Sequence, residues 1–256
     1  MLVRSLGLTT ELELARTRGD VRDRDDYLVV VTPEDPSYYF GNLLVLPAPP
    51  QVGEVAYWTR KFAHEFGRDP AIRHVALRWD GIAGDVGALD ELVTAGFRVE
   101  VTEVMVATVV VPAPTPLPIR ALTAAELAGT AELEYAIGDR HDESFRQFLL
   151  RRAAWKQRLV VEGRAHVLGA FDGEQLVGSL GIVPLGAHAR YQDVQTAASH
   201  RKRGIASALL AAAAAYTPGA RLVIIAEAGS NAARLYARAG FRTVERLAAA
   251  CRYPIL

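Results

Sequence analysis

The residues best equipped for chemistry fall in one turn, Ser199-His200-Arg201-Lys202-Arg203-Gly204-Ile205-Ala206. It precedes a stretch, residues 204–216, dominated by alanine and leucine, the strongest helix formers. A turn that opens a helix presents backbone N–H groups without intrahelical partners, at the positive end of the helix dipole. Gly204 and Ala206 carry little or no side chain, so an anion can approach the backbone closely. Arg201, Lys202 and Arg203 add positive charge at the same spot. The result is an anion-binding nest suited to a pyrophosphate. Gly-Lys-Ser/Thr is absent, which excludes the ATP-type loop. Standing alone, the three basic residues would read as a solvated turn.

Particular elements must present that turn. Residues 119–122 read as a strand, after which Thr123 and Glu126 form a capping-box pattern at the start of a helix reaching about Ile137. A polar loop holds Asp139, His141, Asp142 and Glu143, and a helix rich in Arg and Lys spans about 144–160. Strands at 166–171 and 175–184 meet at Asp172-Gly173, a hairpin signal. A strand at about 190–197 leads into the nest. Residues 221–227 form a buried-type strand, 230–239 a helix ended by Gly240, and 241–253 the last strand or pair of strands. The order β-α-α-β-β-β-α-β-α-β predicts an α/β (α+β) fold, a mixed sheet with helices on its faces.

The whole chain bounds this reading. Its 256 residues suit one large domain or two small ones, and balanced charge with 50% hydrophobic residues argues against disorder. Cys251 is the one cysteine, which excludes a disulfide framework and a multi-Cys zinc site; no metal site is expected. No apolar run reaches the ~18 residues of a membrane span, and the N-terminus lacks a signal-peptide core, so a cytoplasmic protein is expected. Residues 1–112 hold 11 Lys/Arg and 17 Asp/Glu, a net of −6; residues 113–256 hold 18 and 12, a net of +6. Between them Pro112, Pro114, Pro116 and Pro118 alternate with other residues, which makes a short, stiff, extended connector. The expected organisation is a first domain over 1–112, a linker over 113–118 and a second domain over 119–256.

Arg201-x-x-Gly204-x-Ala206 and, after the next strand, Ala232-x-x-Leu235-Tyr236-x-x-x-Gly240-Phe241 stand in matching order. Together they make residues 118–256 resemble the GNAT superfamily of acetyl-CoA-dependent acyltransferases. The resemblance implies a mostly antiparallel twisted sheet flanked by helices, with acetyl-CoA as co-substrate. It implies that Arg201, Lys202, Arg203, Gly204, Ile205, Ala206 and Ser207 hold the pyrophosphate, and that the backbone around Val194 and Thr196 pairs with the pantetheine arm. Where many members have Asn this chain has Gly229, and Ser230 or Asn231 is the substitute polar contact. Tyr236 takes the position that gives a proton to the departing thiolate; a helical Tyr at a core edge is the plainer reading.

The chemistry implied is acyl transfer from a thioester to an amine. An alkylamine with pKa near ~10.4 is neutral in about one molecule in ~2500 at pH 7, so a base or water chain is needed. Asp193 and Glu227 are the two candidates for that base, and either serves equally as an ordinary ion pair. Simple alternation turns Asp193 away from the acceptor unless a bulge shifts the register. The acceptor is expected to be a small-molecule or peptide amine. Zero net charge argues against nucleic acid despite Arg146, Arg151, Arg152, Lys156 and Arg158. No membrane partner is expected, and a homodimer is compatible with the reading. The alternative is a non-catalytic CoA-binding or scaffold protein in which Tyr236 merely packs.

The first half resembles a worn copy. Ala95-Gly96-Phe97-Arg98 repeats as Ala239-Gly240-Phe241-Arg242, a shift of 144 that sets Leu92 on Tyr236. On a shift of 151, Pro50 replaces Arg201 and Glu54 brings the wrong charge for a phosphate. The fold expected is therefore two GNAT-like domains, the first degenerate.

Overall fold

The computed structural model describes residues 1–254. The chain forms two compact units. The first comprises Met1–Val104 with Ile225–Ser230 and Thr243–Leu256; the second comprises Met105–Ile224 with Asn231–Arg242. The units thus divide differently from a linear cut at the proline run. The proline run marks only where the backbone must be extended, whereas strand pairing is decided by residues far apart in sequence.

The first unit holds α1 (Leu6–Ala15), β1 (Asp20–Asp23), β2 (Leu28–Val31), β3 (Leu43–Leu46), α2 (Val55–Phe66), β4 (Val75–Trp79), α3 (Leu89–Thr94) and most of β5 (Arg98–Ala107). The last strand of the chain, β11 (Arg242–Arg252), pairs antiparallel with β4, Ala250 opposite Leu77. The strand order is β1-β2-β3-β4-β11-β5. In α2 the buried residues Val55, Trp58, Phe62 and Phe66 recur at helical spacing and therefore share one face. They pack with Leu77, Trp79, Leu92, Phe97 and, from β11, Ala248 and Ala250. Each large apolar side chain so buried contributes about 1.5–3 kcal/mol.

The second unit holds β6 (Ile119–Ala121), α4 (Ala128–Ile137), α5 (Glu143–Val161), β7 (His166–Asp172), β8 (Gln175–Leu185), β9 (His188–Thr196), α6 (Ile205–Ala214), the start of β10 (Arg221–Glu227) and α7 (Asn231–Arg238). Its strand order is β10-β9-β8-β7-β6. Strands β6 to β9 are antiparallel neighbours, and β9 pairs parallel with β10. The fold is mixed α/β with a mostly antiparallel sheet flanked by helices, as the sequence predicts. The capping box of Thr123 and Glu126 is present, although a 3-10 turn, Ala124–Leu127, precedes α4. Gly240 ends α7 at φ +99°, a conformation that favours glycine.

One sub-order recurs along the chain. In β3-α2-β4-α3-β5 the two leading strands are parallel, and the same holds for β9-α6-β10-α7-β11. Among the described residues no helix is long and apolar enough to cross a membrane.

Candidate active site

The site begins with an irregular strand. On β8 and β9, Gly181 faces Gln192, but Ser179 faces Gln195, so β9 carries one extra residue in between. Asp193 lies at this bulge with φ +51°, in the left-handed region that Asp tolerates better than most residues. The parallel pairing of β9 with β10 ends at Arg190↔Val223, while β9 runs on to Thr196. Beyond that point Val194, Gln195 and Thr196 line a cleft of about 630 Å³.

The basic turn forms the next part of the wall. After the 3-10 turn Ala198–His200, Lys202 and Gly204 have φ values of +63° and +74°. Gly204 is the N-cap of α6, and no side chain caps that end. Gly204, Ile205, Ala206 and Ser207 line the cleft together with Arg201 and Lys202, so the first-turn N–H groups have a polar partner's place beside them. Glycine at 204 is required for a further reason: a Cβ there would lie 2.2 Å from the carbonyl oxygen of Pro114. The proline-rich connector thus packs on the turn.

Asn231, Ala232, Arg234, Leu235, Tyr236 and Arg238 of α7 make the other wall. Tyr236 is 6% exposed, and burial alone pushes its hydroxyl up to about 12. It therefore stays protonated throughout the neutral range and is available as a donor. Its ring lies near Phe241, centroids 6.3 Å apart.

The structure brings together Val194, Thr196, Arg201, Lys202, Gly204, Ile205, Ala206, Ser207, Asn231 and Tyr236 of the residues singled out in the sequence. Three stand elsewhere. Arg203 Nη1 lies 3.9 Å from Asp172 Oδ2, and Glu227 is exposed at the end of β10. Asp193 is held by Arg152 and by Lys156, whose Nζ is 2.8 Å from Oδ2. The bulge does fall at Asp193, yet its carboxylate meets two cations from α5.

Sequence reasoning passed over several residues. His200 lines the cleft and joins Ser199 Oγ at 2.9 Å to Asp172 Oδ2 at 3.0 Å. Gln195 donates to Glu134 Oε2 at 2.6 Å, and Arg152 donates to Glu134 Oε1 at 2.7 Å. Glu134 of α4 thereby stands one hydrogen bond behind the cleft wall. Arg234 and Arg238 were legible only as a four-residue spacing on a helix; no local signal showed which way that face would turn.

A cleft lined by Arg201, Lys202, Arg234 and Arg238 thus lies where the parallel pair β9 and β10 splays, beside the N-terminus of α6. Residues 125–250 match the family model described as Acetyltransferase (GNAT) domain, and the chain carries a GNAT acyltransferase domain there. Three solved structures share the fold. A functionally unknown conserved protein from Staphylococcus epidermidis superposes with TM-score 0.76 at 13% identity, over 93% of this chain and 95% of that one. A GCN5-related N-acetyltransferase from Kribbella flavida gives TM-score 0.66 at 12% identity, over 98% and 96%. A tandem GNAT protein from the clavulanic acid biosynthesis pathway gives TM-score 0.53 at 14% identity, over 89% and 74%. No curated protein matches the chain in sequence.

Proposed function

We propose that the second unit transfers the acetyl group of acetyl-CoA directly to the amine of a small molecule or peptide. The observation that carries this reading is the single cleft shared by the basic turn, the open edge of β9 and Tyr236. The turn takes the pyrophosphate on the N–H groups at the start of α6 and on Arg201. The unpaired edge at Val194 to Thr196 offers backbone groups to the pantetheine amides, and a β9 N–H polarises the thioester carbonyl. The amine nitrogen attacks that carbon, the C–S bond breaks, and the sulfur accepts a proton from the Tyr236 hydroxyl. The amine's own proton leaves through water. Asp193 is engaged by Arg152 and Lys156, and Glu134 by Arg152 and Gln195, so water rather than either carboxylate takes that proton directly. The recurrent strand-helix order supports a degenerate copy in the first unit.

The test is release of free CoA thiol from acetyl-CoA across a panel of alkylamines, polyamines, aminoglycosides and peptides. Amine-dependent release supports the reading. Tight CoA binding with no release on any acceptor favours the non-catalytic alternative.

A further inference from the structure

Val194 lines the cleft at the point where the sheet supports its backbone least. Among the described residues, Asp193 and Val194 have no register partner on either side. Strand β8 pairs with Gln192 and resumes at Gln195, and β10 pairs with β9 only as far as Arg190. Side chains on both flanks supply the hold that strand pairing does not. Before Val194, the Asp193 carboxylate meets Arg152 and Lys156. After it, the Gln195 amide donates to Glu134 Oε2 at 2.6 Å, and its oxygen accepts from Ser179 Oγ at 3.3 Å. Arg152 joins the two flanks: one Nη donates to Asp193 and the other to Glu134 Oε1, 2.7 Å away. The side chains of Arg152, Glu134 and Asp193 are 16%, 20% and 13% exposed, so salt and water screen them little.

A cluster of this kind is a costly route to stability, since apolar side chains of similar volume often serve as well. What it does fix is direction: a planar guanidinium holding two carboxylates on separate nitrogens is locked in orientation. We propose that Arg152 is a positioning residue for acyl transfer. By clamping Asp193 and, through Glu134, Gln195, it holds the Val194 backbone where that backbone meets the thioester carbonyl. Arg152 itself touches no reacting atom; it sets the aim of the β9 donor, where an error of about 1 Å costs on the order of 10²-fold in rate. The inference rests on the reading of the cleft as an acetyl-CoA site.

The probe is acetyl-CoA carrying 13C at the acetyl carbonyl, bound to the full chain and read by isotope-edited infrared spectroscopy. A hydrogen bond to the carbonyl oxygen weakens the C=O bond, so the wild type is expected to show a lower stretching frequency for bound than for free acetyl-CoA. Arg152→Lys keeps the charge, but one ammonium cannot hold both carboxylates in the fork geometry. Glu134→Gln offers one oxygen to two donors. Each is expected to lose most of the frequency shift, while calorimetric affinity for CoA, which lacks the carbonyl, is unchanged. On the amine that gives the fastest CoA release, kcat should fall about 10²-fold. Lys156→Gln removes the other cation on Asp193 and leaves the Arg152 bridge intact. It is expected to lower the melting temperature and keep most of the shift, which separates aim from stability. Equal loss of shift in Lys156→Gln and Arg152→Lys, or a shift that survives both Arg152→Lys and Glu134→Gln, overturns the clamp while the acetyl-CoA reading stands. An unshifted carbonyl in the wild type, or no binding of acetyl-CoA, overturns both.

Discussion

Lys156 Nζ lies 2.8 Å from Asp193 Oδ2, and the two side chains are only 8% and 13% exposed. Arg152 meets the other oxygen of the same carboxylate and also donates to Glu134. The bulge residue of β9 is thus tied to α5, and through Arg152 to α4. A non-glycine residue at φ +51° persists when its surroundings hold it there. The ion pairs supply that hold next to the segment Val194 to Thr196, which lines the cleft.

Asp193→Asn isolates the charge from the backbone, because Asn adopts the left-handed region as readily as Asp. Two largely buried cations are then left beside a neutral amide. Removing one partner of a buried pair costs about 3–5 kcal/mol, and the lower end is expected because Arg152 keeps Glu134. Urea denaturation should show this loss. A change below about 1 kcal/mol would mean that water already screens the cluster.

Tyr236→Phe should lower turnover about 10²–10⁴-fold, the usual size of a general-acid effect. Affinity for acetyl-CoA should hardly change, because the sulfur takes on charge only on the way to product. With the hydroxyl pushed up to about 12, the wild-type rate should show no fall attributable to this group up to about pH 10. Full activity of the Phe variant would remove Tyr236 from the mechanism.

One CoA is expected per chain. In the first unit the turn before α2 meets the protein's own carboxylates: Gly53 N–H donates to Glu91 Oε2 at 2.6 Å, and Gln51 N–H to Glu54 Oε2 at 2.9 Å. These N–H groups precede α2 as those of the basic turn precede α6, and each already has an anion. Titration showing two equivalent sites would overturn this account.

Stability should be greatest between about pH 6.5 and 8.5. Burial pushes Tyr27, Tyr236, Tyr253 and the Cys251 thiol each up to about 12, and Tyr191 upward as well. The native state keeps these protons while the unfolded chain loses them near pH 8.5–10. Their contribution is therefore complete below about pH 8.5 and is lost as pH rises through 12. On the acid side, burial lowers His74, so the unfolded chain binds a proton below about pH 6.5 that the native state resists. Urea midpoints at pH 5, 7.5 and 10.5 should peak at the middle value. A higher midpoint at 10.5 than at 7.5 contradicts the assignment.

The residue order was enough for whatever depends on neighbours within a turn or two. The turn that opens α6 is written in Arg201-x-x-Gly204-x-Ala206, the hairpin in Asp172-Gly173, the helix start in Thr123 and Glu126, and the end of α7 in Gly240. Backbone preference and local hydrogen bonding act over such distances, so short motifs carry them. The extra residue of β9 escaped that logic. Asp193 takes its left-handed turn under cations 37 and 41 positions earlier, and alternation along a strand cannot register them. For the same reason Glu134 came behind the cleft wall unannounced, and Arg234 and Arg238 came to line the same cleft as Arg201. The fate of β11 is the largest case: its Ala248 and Ala250 are as suited to one sheet as to another, and pairing with β4 took them into the core with Trp58 and Trp79. Burial of apolar surface rewards any register that closes the core, and three-dimensional packing chose among them.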